Sequence, residues 1–166
     1  MKSKKRIPRV FLDANVFFAG LICPRWPYEI LRYGETGEIE IILCPLVIEE
    51  IEKNIAKKFP SFLEEVKSFI NTGNFKKVAN PSKKEVEKHH NLVRDKKDIP
   101  IALAAIKAKV DFLVSSDKDL TAQDHTTEKL RKYIKPILPG TFLKEVMKWT
   151  SEEMESIRYR KWKDLE

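Results

Sequence analysis

Cysteine is scarce in this chain: Cys23 and Cys44 are the two among 166 residues. Two thiols make neither a disulfide framework nor a four-ligand zinc site. They suit a reducing compartment in which each packs as a small apolar group. Also missing is an apolar run long enough to span a bilayer. The stretch Val10 to Cys23, behind a basic start, has the outline of a signal peptide. Asp13 and Asn15 interrupt it, however, where an inserting segment avoids polar groups. A cytoplasmic protein is therefore expected. There is no Gly-rich phosphate loop, which argues against a nucleotide-driven ATPase. No internal repeat or low-complexity linker divides the chain, and its length fits one domain. That domain is expected over residues 1–149, with 150–166 as a basic, helical extension. A single glutamine, Gln123, among abundant Lys and Glu gives the composition a thermophilic lean.

What is present is a substantial apolar fraction, 42%, enough to bury a real core. Lys and Arg number 32 against 25 acids, a formal charge of +7 that favours polyanionic partners such as nucleic acid. Basic residues gather at both ends, in Lys2, Lys4, Lys5, Arg6 and Arg9, then in Arg158, Arg160, Lys161 and Lys163. These read equally as solvated tails or as RNA-binding arms.

The pattern of elements points to an α/β protein. "RVFL" (Arg9 to Leu12), "IEIIL" (Ile39 to Leu43) and "DFLVSS" (Asp111 to Ser116) read as buried strands; Phe75–Val78 and Ile134–Leu138 are shorter candidates. Helices are expected after Pro27, closed by Gly34 and Gly37, and from Pro45. Further helices are expected over Ser61–Ile70 and Ser82–Arg94, each opened by a Ser-x-x-Glu box, and over Asp98–Lys109 and Thr141–Trp149. Strands alternating with helices predict a three-layer α/β/α sandwich with a mainly parallel central sheet. Ligands of such sheets bind beyond the carboxyl ends of the strands.

Acids fall where that rule directs attention. Asp13 and Asn15 follow the first strand, Asp117 and Asp119 follow "FLVSS", Glu50 lies one turn into its helix, and Asp98 opens the Ala-rich helix. Singly, each has a structural reading. Asp98 is a good N-cap, Asp117 shapes a turn, and Glu50 sits with Glu49 and Glu52 on a solvated face. Asp13 is harder to dismiss, because it interrupts a strongly apolar run. Together, carboxylates in one cleft would repel by about 4 kcal/mol per close pair at an effective dielectric near 20. A hard divalent cation between them, Mg²⁺ or Mn²⁺, relieves that repulsion.

In this order the segments resemble the PIN-domain ribonucleases, in particular toxin-like members of toxin–antitoxin pairs. "VFLDANVFFAGL" (Val10 to Leu21) is similar to the family's first strand and its Asp-x-Asn. "CPLVIEEIEKNI" (Cys44 to Ile55) resembles the helix with the second acid, Glu50 in the matching place and Glu49 competing for it. "RDKKDIPIALAAIKAKVDFLVSSDKDL" (Arg94 to Leu120) carries the Asp-x-x-Ile-Ala and Ser/Thr-x-Asp-x-Asp patterns, and "ILPGTFLKEV" (Ile137 to Val146) resembles the closing strand and helix. Cys44 and Ser115 stand where the family often has Ser and Thr.

The resemblance implies a PIN-like fold and a metal-dependent endoribonuclease acting on single-stranded RNA. Asp13, Glu50, Asp98 and Asp117 would be the catalytic, metal-holding quartet. Asp119 would assist, Asn15 and Ser115 would orient water or neighbouring carboxylates, and Asp95 would cap or steady its loop. His89, His90 and His125 are assigned no role, since the cation replaces a general base. Phe17, Phe18 and Trp26 could stack on bases, but core packing is the expected role of at least the two phenylalanines. An antitoxin partner is implied, and a homodimer is plausible through helix faces near Leu31 and Phe62. Open alternatives are an RNA-processing enzyme with no antitoxin, a non-catalytic RNA-binding or interaction module, and a metal-dependent phosphatase with Asp13 as nucleophile.

Overall fold

A computed structural model describes residues 6–166, so Lys2, Lys4 and Lys5 lie outside the described residues. Strands β1 (Arg9–Leu12), β2 (Glu40–Leu43), β3 (Phe75–Lys77), β4 (Phe112–Val114) and β5 (Lys135–Ile137) form one sheet in the order β3-β2-β1-β4-β5. Every pairing is parallel, with Phe11 opposite both Ile42 and Leu113. Between β1 and β2 lie α1 (Ala14–Ile22) and α2 (Trp26–Thr36); between β2 and β3 lie α3 (Pro45–Lys58) and α4 (Leu63–Thr72). The chain then crosses to the other side of β1 through α5 (Lys83–Lys88) and α6 (Ile99–Lys107), and reaches β5 through α7 (Lys118–Thr121) and α8 (Glu128–Arg131). Parallel crossovers are right-handed almost without exception, so α1–α4 cover one face and α5–α8 the other. Val10, Phe11, Leu12, Ile41, Ile42, Leu43, Leu113 and Val114 are fully buried between those layers. The expected three-layer, parallel architecture is the one observed.

Several expectations shift at element level. Ser61 caps nothing: it sits in a 3-10 turn (Pro60–Phe62), and Phe62 occupies the cap position of α4. The Ser82–Glu85 capping box does open α5, but that helix stops at six residues instead of running to Arg94. There the rings of His89 and His90 approach the carbonyls of Glu85 and Glu87 through Nδ1, and the chain turns to bury Leu92 and Val93. The last core helix, α9 (Pro139–Glu145), begins two residues before Thr141 and ends short of Trp149. Gly37 closes α2 with φ of 82°, a conformation that favours glycine. Gly34 has a different role, since a Cβ there would stand 2.3 Å from Ile41 Cδ1 and push α2 off the sheet. Leu31 is buried and unavailable as an intersubunit contact, whereas Phe62 is 52% exposed.

The basic ends are tied down where they are described. Arg6 donates to Asp111 Oδ1 at 2.8 Å, and the Arg9 amide donates to Asp111 Oδ2 at 2.8 Å. Both lie at the amino ends of β1 and β4. After α10 (Ser151–Ser156) the chain folds back on the α1–α2 corner and ends in a 3-10 turn (Trp162–Leu165). Arg160 forms a largely buried ion pair with Glu29 at 2.6 Å and donates to the Pro24 carbonyl. Trp162 donates to the Ile22 carbonyl at 2.7 Å and meets Tyr28 edge-on. Residues 150–166 are thus helical only in part, and Arg160 is a tether, not a solvated charge.

Candidate active site

The sheet reverses its direction of travel between β1 and β4, and that is where the acids collect. At such a switch point the loops leaving adjacent strands part in opposite directions and leave a crevice at the carboxyl end. Asp13 leaves β1 with its amide donating to Val114 O at 3.0 Å, which extends the ladder by one residue and fixes the turn into α1. Its side chain is 7% exposed. Oδ1 accepts from Ala14 N at 2.8 Å and Oδ2 from the Ser115 hydroxyl at 2.7 Å, so the carboxylate is held in one orientation. Burial pushes the Asp13 carboxyl above its ordinary range; the two hydrogen bonds oppose this, and the charges of Glu50 and Asp117 add to it.

Ser115 serves both sides of the crevice. It is fully buried, and its Oγ accepts from Asp117 N at 3.0 Å while its proton goes to Asp13. Asp117 Oδ1 in turn accepts from Asp119 N at 2.8 Å, opening the short α7. Asn15 is exposed, and its side-chain oxygen accepts from Ser116 N at 3.3 Å, stitching the β1 and β4 loops together.

Asp98 settles a point that stood open in the sequence. It occupies the N-cap position of α6 but makes no side-chain cap bond, so capping does not account for it. Asp95 takes the capping work instead, accepting from Lys97 N at 3.0 Å. Among the described residues Asp98 Oδ2 is buried without a hydrogen-bond partner. Desolvation foremost, then the Asp117 carboxylate beside it, then Asp95 and Asp13, hold the Asp98 carboxyl up at about 7. Two ionised carboxylates have no proton to share, so Asp98 and Asp117 can bond to each other only while one of them stays protonated.

Carboxylate oxygens of Asp95, Asp98 and Asp119 lie within 4.8 Å of one another. Glu50 projects from α3 and is exposed, near enough for its charge to act on Asp13; Glu49, also exposed, is not among the charges that shift Asp13. The structure therefore gathers Asp13, Asp98, Asp117 and Asp119 at one crevice, adds Asp95 to its rim, and leaves Glu50 at the solvent edge. The donor set is all oxygen, and it contains a buried oxygen with no partner. It fits a hard divalent cation. His89, His90 and His125 lie on other segments and take no part in these contacts.

Phe17 is fully buried against Phe69 and Phe75, and Phe18 is half-buried with the Lys58 ammonium 5.2 Å from its ring centroid. The contacts absent from the sequence reading are those of Glu29, Arg160 and Trp162, separated by more than 130 residues and carrying no motif.

Comparison with known proteins agrees with this fold. No curated protein sequence matches the chain. Among solved structures, FitAcB from Neisseria gonorrhoeae is similar with a TM-score of 0.53 at 13% identity, over 78% of this chain and 97% of that one. PAE2754 from Pyrobaculum aerophilum gives 0.50 at 19% identity, over 76% and 96%. VapBC2 from Rickettsia felis, bound to a DNA fragment from their promoter, gives 0.50 at 14% identity, over 78% and 98%. At these identities the likeness is one of fold. A family model described as the PIN domain matches residues 9–119, from the first residue of β1 to the last acid of the crevice. The chain belongs to the PIN-domain family.

Proposed function

We propose that this protein is a divalent-metal-dependent endoribonuclease that hydrolyses phosphodiesters of single-stranded RNA, acting as the toxin of a toxin–antitoxin pair. The observation that carries the reading is Asp98: a carboxylate that caps nothing, with a buried unpartnered oxygen, crowded by Asp117, Asp95 and Asp13. A fold that needed only stability would replace such a group, because unpaired buried charge is costly.

Asp13, Asp98 and Asp117, with Glu50 from α3, would hold Mg²⁺ or Mn²⁺, and Asp119 and Asp95 would extend the site. Bound there, the cation supplies Lewis-acid polarisation of the phosphodiester and lowers the pKa of water. The chain supplies the rest. Ser115 and the Ala14 amide aim Asp13, Asn15 ties the two strand-end loops, and the Asp119 amide orients Asp117. Asp13 and Ser115 are themselves buried beside the fully buried ends of β1 and β4, which keeps them in place. In-line attack of water on phosphorus breaks the P–O3′ bond and leaves a 5′-phosphate and a 3′-hydroxyl.

The test is cleavage of a mixed-sequence single-stranded RNA with Mn²⁺, with EDTA, and with Asp13→Asn and Asp98→Asn variants that remain folded. Metal-dependent cleavage lost in both variants supports the proposal. RNA binding without cleavage under any divalent metal gives the site to a binding module. The antitoxin part of the reading draws on the sequence resemblance and on the names FitAcB and VapBC2, each of which denotes an assembly. Expression in a bacterial host checks it: growth arrest abolished by Asp13→Asn supports a toxin, and harmless expression supports an RNA-processing enzyme without a partner.

A further inference from the structure

Ser116 links two environments. Its neighbour Asp117 belongs to the acidic crevice, while Ser116 itself is exposed and lines a groove of about 820 Å³. Trp26 and Pro27 at the start of α2 form one wall, and Leu138 and Thr141 at the β5–α9 junction form another. The Trp26 indole is fixed in advance, because Nε1–H donates to the Met154 carbonyl at 3.0 Å. Gly140 packs closely beside it: a Cβ there would stand 3.0 Å from Trp26 Cε3, tighter than an ordinary contact. Leu138 is 43% exposed, an apolar residue partly open to water beside that wall.

The composition of the groove selects its occupant. Its volume falls in the range of about 300–1,000 Å³ usual for small-ligand sites. The groove's lining carries one cation, Lys144, and two acids, Glu145 and Glu155, which pair with Lys135 and Arg158, so it gathers no cluster of positive charge for a phosphate. Apolar walls with the Ser116 and Thr141 hydroxyls between them suit a flat, uncharged ring with donors and acceptors on its edge. The geometry points to a nucleobase subsite: the groove takes the base of the nucleotide flanking the scissile phosphate. Trp26 and Leu138 pack on the base while Thr141 and Ser116 meet its edge. This rests on the nuclease reading above, which brings an RNA strand to Asp98 and Asp117, one residue from Ser116.

The experiment uses single-stranded RNA oligomers in which one abasic ribose is moved along the sequence, cleaved with Mn²⁺. An abasic ribose at one position next to the cut raises KM about tenfold with kcat unchanged, the loss expected for one packed base. In the Leu138→Ala, Thr141→Val double variant KM is already raised, and the same abasic ribose has no further effect. A wild-type enzyme that cleaves every abasic oligomer with the same KM overturns the subsite and leaves the nuclease reading standing. Failure to cleave with any divalent metal counts against the nuclease alone, and binding then decides. In EDTA, the Leu138 and Thr141 methyl NMR signals shift with an intact oligomer and stay in place with its fully abasic equivalent. Equal responses to both oligomers overturn the subsite.

Discussion

A carboxyl group held protonated to about pH 7 leaves a signature in stability. Asp98 ionises near 3.8 in an ordinary setting and near 7 in the fold, mainly because burial disfavours its charge. Between those values the unfolded chain has already released the proton that the native protein keeps. Stability therefore falls as pH rises from about 4 to 7, and the penalty is complete above 7. Discounted for a half-exposed residue, it amounts to about 1–2 kcal/mol, or roughly 2–8 °C in Tm. In EDTA at pH 8, Asp98→Asn is expected to melt above the wild type by that margin, with the two converging near pH 4; calorimetry across pH checks this. On the proposed nuclease reading the same substitution is expected to lower cleavage at least 100-fold, so Asp98 would cost stability and contribute function. Ser115 carries a second expectation. Its hydroxyl bridges Asp13 and the Asp117 amide, so Ser115→Ala should raise the Mn²⁺ concentration for half-maximal cleavage by about 10–100-fold. An unchanged metal requirement would show that the Ala14 amide aims Asp13 unaided.

Among the elements, the C-terminal segment after α10 separates structural charge from surface charge. The Arg160–Glu29 pair has side-chain exposures of 16% and 11%, and Arg160 also serves the Pro24 carbonyl. Glu29→Ala leaves a guanidinium without its partner in a largely buried place. The expected cost is about 3 kcal/mol, read from the urea midpoint. The Glu85–Lys107 pair is a control: Lys107 holds the Glu85 carboxyl down at about 2, but both groups are well solvated. Glu85→Gln should leave the urea midpoint at neutral pH nearly unmoved. Both pairs are Glu with a base in the sequence, and burial alone sets them apart. Helix α1 makes a related point. Its apolar residues surround the axis, so no periodic stripe marks it; its start is set by Asp13, whose side chain accepts from Ala14 N.

At the scale of the whole molecule, +7 of net charge coexists with an acidic crevice at the carboxyl ends of the strands. At the opposite ends Arg6 pairs with Asp111 and the Arg9 guanidinium with Glu40, so they offer little to an RNA strand at the crevice. A cation that binds only the native crevice stabilises it by mass action, about 2.7 kcal/mol at a hundredfold excess over its Kd. Mn²⁺ should therefore raise the Tm of wild-type protein and leave Asp98→Asn nearly unmoved. A rise of the same size in both would place the cation elsewhere.

The parallel sheet, its main strands and the carboxyl-end placement of the acids follow from sequence alone, whereas the strand order β3-β2-β1-β4-β5 is decided by the fold. Buried parallel strands are written as apolar runs such as "RVFL", and Pro45, Gly37 and the Ser82–Glu85 box mark ends by local sterics and hydrogen bonding. Whether Asp98 caps α6 or faces the crevice was not legible, because both uses require the same residue type at the same helix start. Only the packing of α6 beside the β1 and β4 loops decides which way the carboxylate points. Glu29 and Arg160 were silent, since their meaning lies in contacts with residues far along the chain, whereas the local cap that Asp95 makes to Lys97 N was legible. Local patterns are set by nearest neighbours and survive in a one-dimensional reading. Convergence, burial and the pKa shifts they produce belong to the folded arrangement, where distance in sequence no longer measures distance in space.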